Sequence, residues 1–531
     1  MSIFSKVAMP RPAHNTFDLS HDRKMSIKMG QLIPTLALEC VPGDSFTLKS
    51  TNLTRFAPML APIMHQCSVY THYFFVPTRI VWDKWEDFIT GGIDGLQDPA
   101  FPVLQTSSPS IEVEIGSLAD YMGLPDGQHD SDTLSAVPFA MYNKIYNEYY
   151  MDENLSVPLS DKLSSGSNNY SSFWTLQKRA WQHDYFTSAL PWTQKGPEAT
   201  IPLGIDAPLK YGDFDDPPPT TYGDATMLRE RQSDGGAVIA NYNAGFRTDS
   251  DGAWTDSTGN TYINPDITRT HVADLKEASS ATINELRKAF RLQEWLERNA
   301  RGGSRYIEVI LSHFGVQSSD ARLQRPEFLG GSATPISISE VLQTSNTANA
   351  PTQDDETPQG NMAGHGVAVG QSNTCHYKAE EHGYIIGIMS VMPKSAYQQG
   401  VPKHFLKFDK FDYFWPSFQS IGEQAIYNKE LFNDIADNKN DDVFGYTPRY
   451  AEYKYIPSSV HGQMRKTLNF WHMGRIFNSR PSLNQDFIEM DSAETDRIFA
   501  VSDPDSEDLY VYLHNKVKAR RPMVYYGTPT I

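Results

Sequence analysis

Close to its C-terminus the chain gathers Lys516, Lys518, Arg520 and Arg521, followed by Tyr525 and Tyr526. Ammonium and guanidinium groups neutralise phosphates and phenol rings stack on unpaired bases, so this mixture suits single-stranded nucleic acid bound without sequence choice. A solvated terminal segment and a contact between subunits are the other two readings of the same residues. Elsewhere the signatures of catalysis are missing: there is no GxSxG elbow, HExxH pair or GxxxxGK[ST] loop. GHGVAVG, from Gly364 to Gly370, approaches a dinucleotide fingerprint, but its third glycine comes one place late and it reads as a flexible loop. Asp249, Asp251 and Asp256 lack the ligand spacing of an EF-hand and read as a solvated acidic loop. His65 and His72 fall on opposite faces of one strand if side chains alternate, so packing or hydrogen bonding is expected of them rather than a shared metal ion. Cys40, Cys67 and Cys375 form no CxxC pair and leave an odd count, which points to buried reduced thiols, with neither a disulfide framework nor a zinc site.

The elements that must position these residues are read outward from His65–Gly92. Alternation from Cys67 to Val76 puts apolar or aromatic groups on both faces of a strand, which therefore lies in a sheet covered on both sides. Pro77 ends it; Trp82, Trp85, Phe88 and Ile89 then recur at helical spacing until Gly91 supplies a left-handed stop. Trp82, Trp85 and, further on, Trp295 are expected to be buried within or between subunits.

Residues 1–24 read as an arm, and residues 25–76 carry the first strands, IKMGQLIPTLALEC and SFTLKS, joined by a turn at Pro42, Gly43 and Asp44. Residues 77–333 read as large insertions. Helices are expected at Ser117–Gly123, Ala136–Met151 and Trp174–Leu190, from a capping box at Thr282 and Glu285 to Gly302, and over Arg305–Phe314. Within the insertions, residues 201–266 lose apolar periodicity in favour of turn-rich runs such as DSDGAWTDSTGNTY. An exposed protrusion with a hairpin between Trp254 and Tyr262 is the reading preferred to a disordered linker. Residues 334–515 return to strands, TPISISEV, YIIGIMSVM, AEYKYI, DRIFAVS and DLYVYLHNKV, with a loop from Thr344 to Asn373; residues 516–531 form a basic tail.

Strands, then a helix-and-loop middle, then strands again is not the alternation of a βαβ protein. One mainly β domain assembled from both ends of the chain, a sandwich of jelly-roll type, fits this order. Apolar content of 39% with 12% aromatics supports a large core, and a net charge of −18 argues against coating nucleic acid over the whole surface while leaving room for one basic face. The N-terminus lacks a signal-peptide core and no apolar run approaches the roughly 20 residues of a membrane span, so a soluble chain without membrane insertion is expected. A β-rich carbohydrate-active enzyme is the rival from another class, with carboxylates such as Glu380 and Glu381 facing a sugar.

Several long blocks carry a resemblance: FDLSHDRKMSIKMGQLIP, ECVPGDSF, LTRFAPMLAPIMHQCSVYTHYFFVP and WEDFITGG, then AFRLQEWLERNARGGSRYIEVILSHFGVQSSDARLQRPEFLGG, ISEVLQT, EEHGYIIGIMSVMP, FGYTPRYAEYKY and KARRPM. In this order they resemble the major capsid proteins of the microviruses, in the gokushovirus branch of small single-stranded DNA bacteriophages. The resemblance implies an eight-stranded viral jelly-roll β-barrel with long helix- and loop-containing insertions, no catalytic activity and no cofactor. It implies a homo-oligomer with pentameric and trimeric contacts, the T=1 icosahedral shell of a virion, assembled in the host bacterial cytoplasm around circular single-stranded DNA. Implied partners are a DNA pilot protein, a small basic packaging protein, an internal scaffolding protein and a host cell surface receptor. By position, residues 201–266 match the family's host-contacting surface protrusion, which would place Trp254, Asp256 and Tyr262 at the attachment surface.

Overall fold

The computed structural model describes residues 13–526 except 106–109, 131–133, 170, 172, 198, 200–208, 212–246, 249–253, 256–260, 263–270, 274–282, 304, 345–361, 437 and 502–506. Two compact units are distinguished, residues 1–195 with 297–531, and residues 196–296.

The first unit is mostly antiparallel sheet. Its principal strands are β1 (Asn15–Asp18), β2 (His21–Ile27), β3 (Ile33–Cys40), β4 (Ser45–Phe56), β5 (Cys67–Pro77), β6 (Glu327–Pro335), β7 (Ser337–Leu342), β8 (Met362–Gln371), β9 (Cys375–Lys378), β10 (Gly383–Pro393) and β11 (Leu509–Arg521). One sheet runs β6-β5-β10-β3; in the other, β1 and β2 pair with β11, followed by β4, β8 and β7, with β9 also on β4.

Alternation explains how the sheets face each other. Inward residues of β4 and β11 such as Phe56, Val511 and Leu513 share a core with Val69 of β5 and Met389 and Val391 of β10. A neighbouring cluster joins Phe46, Leu48 and Val517 to Tyr73, Phe75 and Ile385. The opposite face of β5 is buried as well: Phe74 and Val76 pack with Ile386 and Ile388 against Val137, Met141 and Ile145 of the helical insertion. The doubly covered strand is therefore found as the sequence indicates.

Behind it lie α1 (Thr78–Val81) and α2 (Trp85–Thr90), stopped at Gly91 with φ 78°, then α3 (Leu118–Met122), whose N-cap Ser117 accepts from the Asp120 amide, and α4 (Val137–Ile145), continued by a π turn over Tyr146–Tyr150. Next in the sequence come α5 (Ile283–Gly302), of which residues 283–296 belong to the second unit, and α6 (Tyr306–Phe314); Thr282, the expected cap of α5, lies outside the described residues. Trp82 is fully buried, Trp85 half-buried in the same cluster, and Trp295 exposed in the single chain.

Several expectations are corrected. Within the segment read as an arm, β1 and the first residues of β2 pair with β11. The first long strand candidate is two strands, β2 and β3, separated by a turn at Gly30, whose φ of 79° suits glycine. Trp174–Leu190 is not helical, because its amides bond elsewhere, Arg179 N to Gly30 O, Trp181 N to Ile488 O and Leu190 N to Tyr446 O. AEYKYI and DRIFAVS hold 3₁₀ turns at Ala451–Tyr453 and Asp496–Ile498 rather than strands; the first follows Tyr450 at φ 63°, which breaks extended backbone. GHGVAVG is no loop but the body of β8, between β4 and β7. Its glycines hid the pattern: a Cβ on Gly366 would sit 2.9 Å from the Phe56 ring, and one on Gly364 would strike the Ala61 carbonyl at 2.3 Å. Finally, residues 516–521 are not a tail but the second half of β11.

In the second unit, Trp254–Thr255 pairs with Thr261–Tyr262, Trp254 opposite Tyr262, and Arg247–Thr248 adds a third strand. The hairpin matches the sequence reading. Asp249, Asp251 and Asp256 lie outside the described residues.

Candidate nucleic-acid interface

The core fixes which way β11 points. Leu509, Val511, Leu513, Val517 and Ala519 are buried, so Tyr510, Tyr512, His514, Lys516, Lys518 and Arg520 must lie on the opposite face. A slip of one residue would drive the three cations into the core, so the register is strongly specified. Outward side chains on one strand recur at roughly 6.8 Å, twice the rise per residue.

Pairing extends this row across the sheet. On β4, Arg55 stands opposite Tyr510 and Lys49 opposite Lys516, while Thr47 and Ser45 face Lys518 and Arg520. Lys24 on β2 faces Tyr512, and Lys378 on β9 faces Ser45 from the other side. Lys24, Lys49, Arg55, Lys378, Lys516, Lys518 and Arg520 thus share one face of a chain whose net charge is −18.

Among the described residues, Asp18 and Asp22 reach the same face. Asp18 lies opposite Lys518, and its carboxyl is held below the usual range first by the Ser20 hydroxyl and amide, with Lys518 and Lys516 adding to the effect. Asp22 bonds His514 Nδ1 at 2.5 Å, which together with Tyr512 lowers its carboxyl too. No carboxylate of the described residues comes within ion-pair distance of Lys49, Lys516, Lys518 or Arg520. Two lysines placed directly across a strand pair repel each other, and a polyanion lying over them would relieve that repulsion. Tyr510 and Tyr512, 51% and 39% exposed, offer rings at one end of the row of cations, in the way sheet-borne aromatics stack bases elsewhere.

Of the residues singled out from sequence, Lys516, Lys518 and Arg520 fall on this face. Arg521 does not: its Nη2 donates to Glu39 O at 2.8 Å, its Nε lies 3.6 Å from the buried Asp44 carboxylate, and its guanidinium sits 5.5 Å from the Phe46 ring. Tyr525 and Tyr526 are exposed beside edge strand β1, Tyr525 donating to Thr16 O at 3.2 Å with its ring 5.2 Å from Phe17. Sequence reasoning missed Lys24, Lys49, Arg55, Lys378, Tyr510 and Tyr512. The signal was present in the period-two pattern of SFTLKSTNLTRF and LYVYLHNKVKARR, but only the pairing brings the two together.

Other candidates serve structure. Glu381 is held by Arg79 through two bonds of 2.5 and 3.0 Å. His72 Nδ1 lies 2.7 Å from Tyr150 Oη, and burial, with Arg179 nearby, pushes its imidazole down to about 4. His65 precedes the strand rather than sharing it and bonds Lys394 O at 2.5 Å. All three cysteines are free and buried. Among the described residues, no helix is long and apolar enough to cross a membrane.

Comparison with known proteins bears on the whole chain. A family described as capsid protein (F protein) matches residues 5–531. The capsid protein VP1 of Bdellovibrio phage phiMH2K is 36% identical over 99% of this chain and 97% of its own length. VP1 of Chlamydia phage 1 is 35% identical over 99% and 97%, and VP1 of Spiroplasma virus 4 is 32% identical over 99% and 96%.

Proposed function

The chain belongs to the phage capsid protein (F protein) family, and from that premise we propose that it is the repeating subunit of a T=1 icosahedral shell that lays its basic sheet face against a single-stranded DNA genome. The observation that carries the DNA contact is the Lys49–Lys516 pair in its row of cations and tyrosines, without a carboxylate partner among the described residues.

The two sheets are read as the halves of an eight-stranded jelly roll. What supports this is that early strands pair with late ones in reverse order: β2 with β11, β3 with β10, β4 with β8 and β5 with β6. Such a fold leaves long insertions free to meet neighbours, and residues 201–266 are assigned to a surface protrusion that contacts a host receptor. With a chain charge of −18, one basic face neutralises only part of a genome. A small basic packaging protein, alongside a DNA pilot protein and an internal scaffolding protein, completes the expected set of partners in the host cytoplasm.

Expression of the chain with its scaffolding partner, followed by electron microscopy, tests the reading. Closed particles of minimal icosahedral size are expected; a chain that stays monomeric under every assembly condition would overturn it.

A further inference from the structure

Between β10 and β11 the chain makes an excursion with three 3₁₀ turns, Lys403–Phe405, Lys410–Asp412 and Pro416–Phe418. It leaves Phe405, Phe408, Phe411, Tyr413, Phe414 and Trp415 between 46% and 86% exposed. At roughly 200 Å² per aromatic residue this display amounts to about 700 Å². Summed along the segment, that is close to the roughly 800 Å² one partner contributes to a standard interface.

The backbone that carries the rings is held in place. Asp412 accepts from the Phe408 and Asp409 amides at 2.9 and 2.8 Å, and Trp415 Nε1 donates to Lys410 O at 2.8 Å. Lys407 lies 3.0 Å from Glu452 and 3.9 Å from the centre of the Tyr453 ring. A surface ordered before contact loses little freedom on contact.

Part of its charge is paired within the chain. Lys403 pairs with Glu430 at 2.7 Å and Lys407 with Glu452, and the charges left exposed, Asp409, Lys410 and Asp412, are of both signs. Two copies of a chain carrying −18 repel, and a largely aromatic surface that carries both signs of charge, Lys410 beside Asp409 and Asp412, is where they can meet. A cationic partner would seek acidic surface, and nucleic acid has the basic sheet face.

We propose that the aromatic excursion 403–418 is a contact surface for a second copy of this chain. The inference rests on the shell reading and names the surface that carries it. Phe405 and Phe408, 66% and 86% exposed, are changed without disturbing the core. In full-length Phe408→Glu and Phe405→Glu, the thermal melt and single-stranded DNA retention by free chain are expected to match wild type, while the yield of closed particles falls at least tenfold. Wild-type particle yield from both variants would overturn the proposal and leave the shell reading intact; failure of the wild-type chain to form particles would overturn the shell reading instead. A second measurement decides the patch in either case. Phe408→Cys carrying a photo-cross-linker is expected to give a product of two copies of this chain, the native cysteines being buried. A cross-link to another protein, or none in concentrated chain, would contradict the proposal.

Discussion

At the scale of single residues, adjacent cations in the sequence have separate work. Lys516, Lys518 and Arg520 point away from the core, and Arg521 turns back to a carboxylate, Asp44, that is fully buried. Replacing Lys516 and Lys518 by Ala is expected to leave the melt unchanged and to reduce the salt slope of single-stranded DNA binding by about one per lysine, measured by titration at several salt concentrations; an unchanged slope would make the face a solvated surface. Arg521→Ala is expected to cost about 3 kcal/mol, because it strands a buried charge, and to leave the salt slope alone. His72 gives a pH dependence whose sign is fixed. Its imidazole is held at about 4 against 6.5 when unhindered, so the unfolded chain takes up the proton first. The stability His72 contributes is full above 6.5 and is lost as pH falls towards 4. Asp508 acts in the opposite sense, since burial raises its carboxyl to about 6 and its contribution fades as pH rises from 3.8 through 6. Melts of His72→Phe between pH 7 and 4.5 are expected to fall less steeply than those of wild type.

At the scale of elements, what the sequence displays clearly is any segment whose own pattern decides its fate. The doubly apolar β5, the π-extended helix after Val137 and the Trp254–Tyr262 hairpin are of this kind. What it conceals depends on a partner. The glycines of β8 remove the alternation that would mark a strand, and their reason for being there is Phe56 and Ala61 from elsewhere. AEYKYI has strand-like residues yet turns, because Tyr450 before it adopts a left-handed conformation. The basic face is half visible for the same cause: Lys516 is in one run of sequence and Lys49 in another, and only the β4–β11 register sets them opposite. Gly366→Ala is expected to lower stability by about 1–3 kcal/mol through overpacking against Phe56, read from a denaturant midpoint; an unchanged midpoint would mean that the sheet accommodates a side chain there.

At the scale of the whole molecule, strands from both ends of the chain build the paired sheets, and what lies between them is available for neighbours and surroundings. Excising residues 201–266 is expected to spare shell assembly and impair attachment to host cells, checked by microscopy and adsorption assay; loss of assembly would instead make the segment a clamp between subunits. For a chain of net charge −18 to line a single-stranded genome as proposed, its basic sheet face must turn inward; that face gathers seven of the 46 lysines and arginines. A reconstruction of DNA-filled particles tests this most directly. Nucleic-acid density is expected against Lys49, Lys516 and Lys518, with bases near Tyr510 and Tyr512; the same face turned to the particle exterior, with DNA lying elsewhere, would contradict an inward basic face.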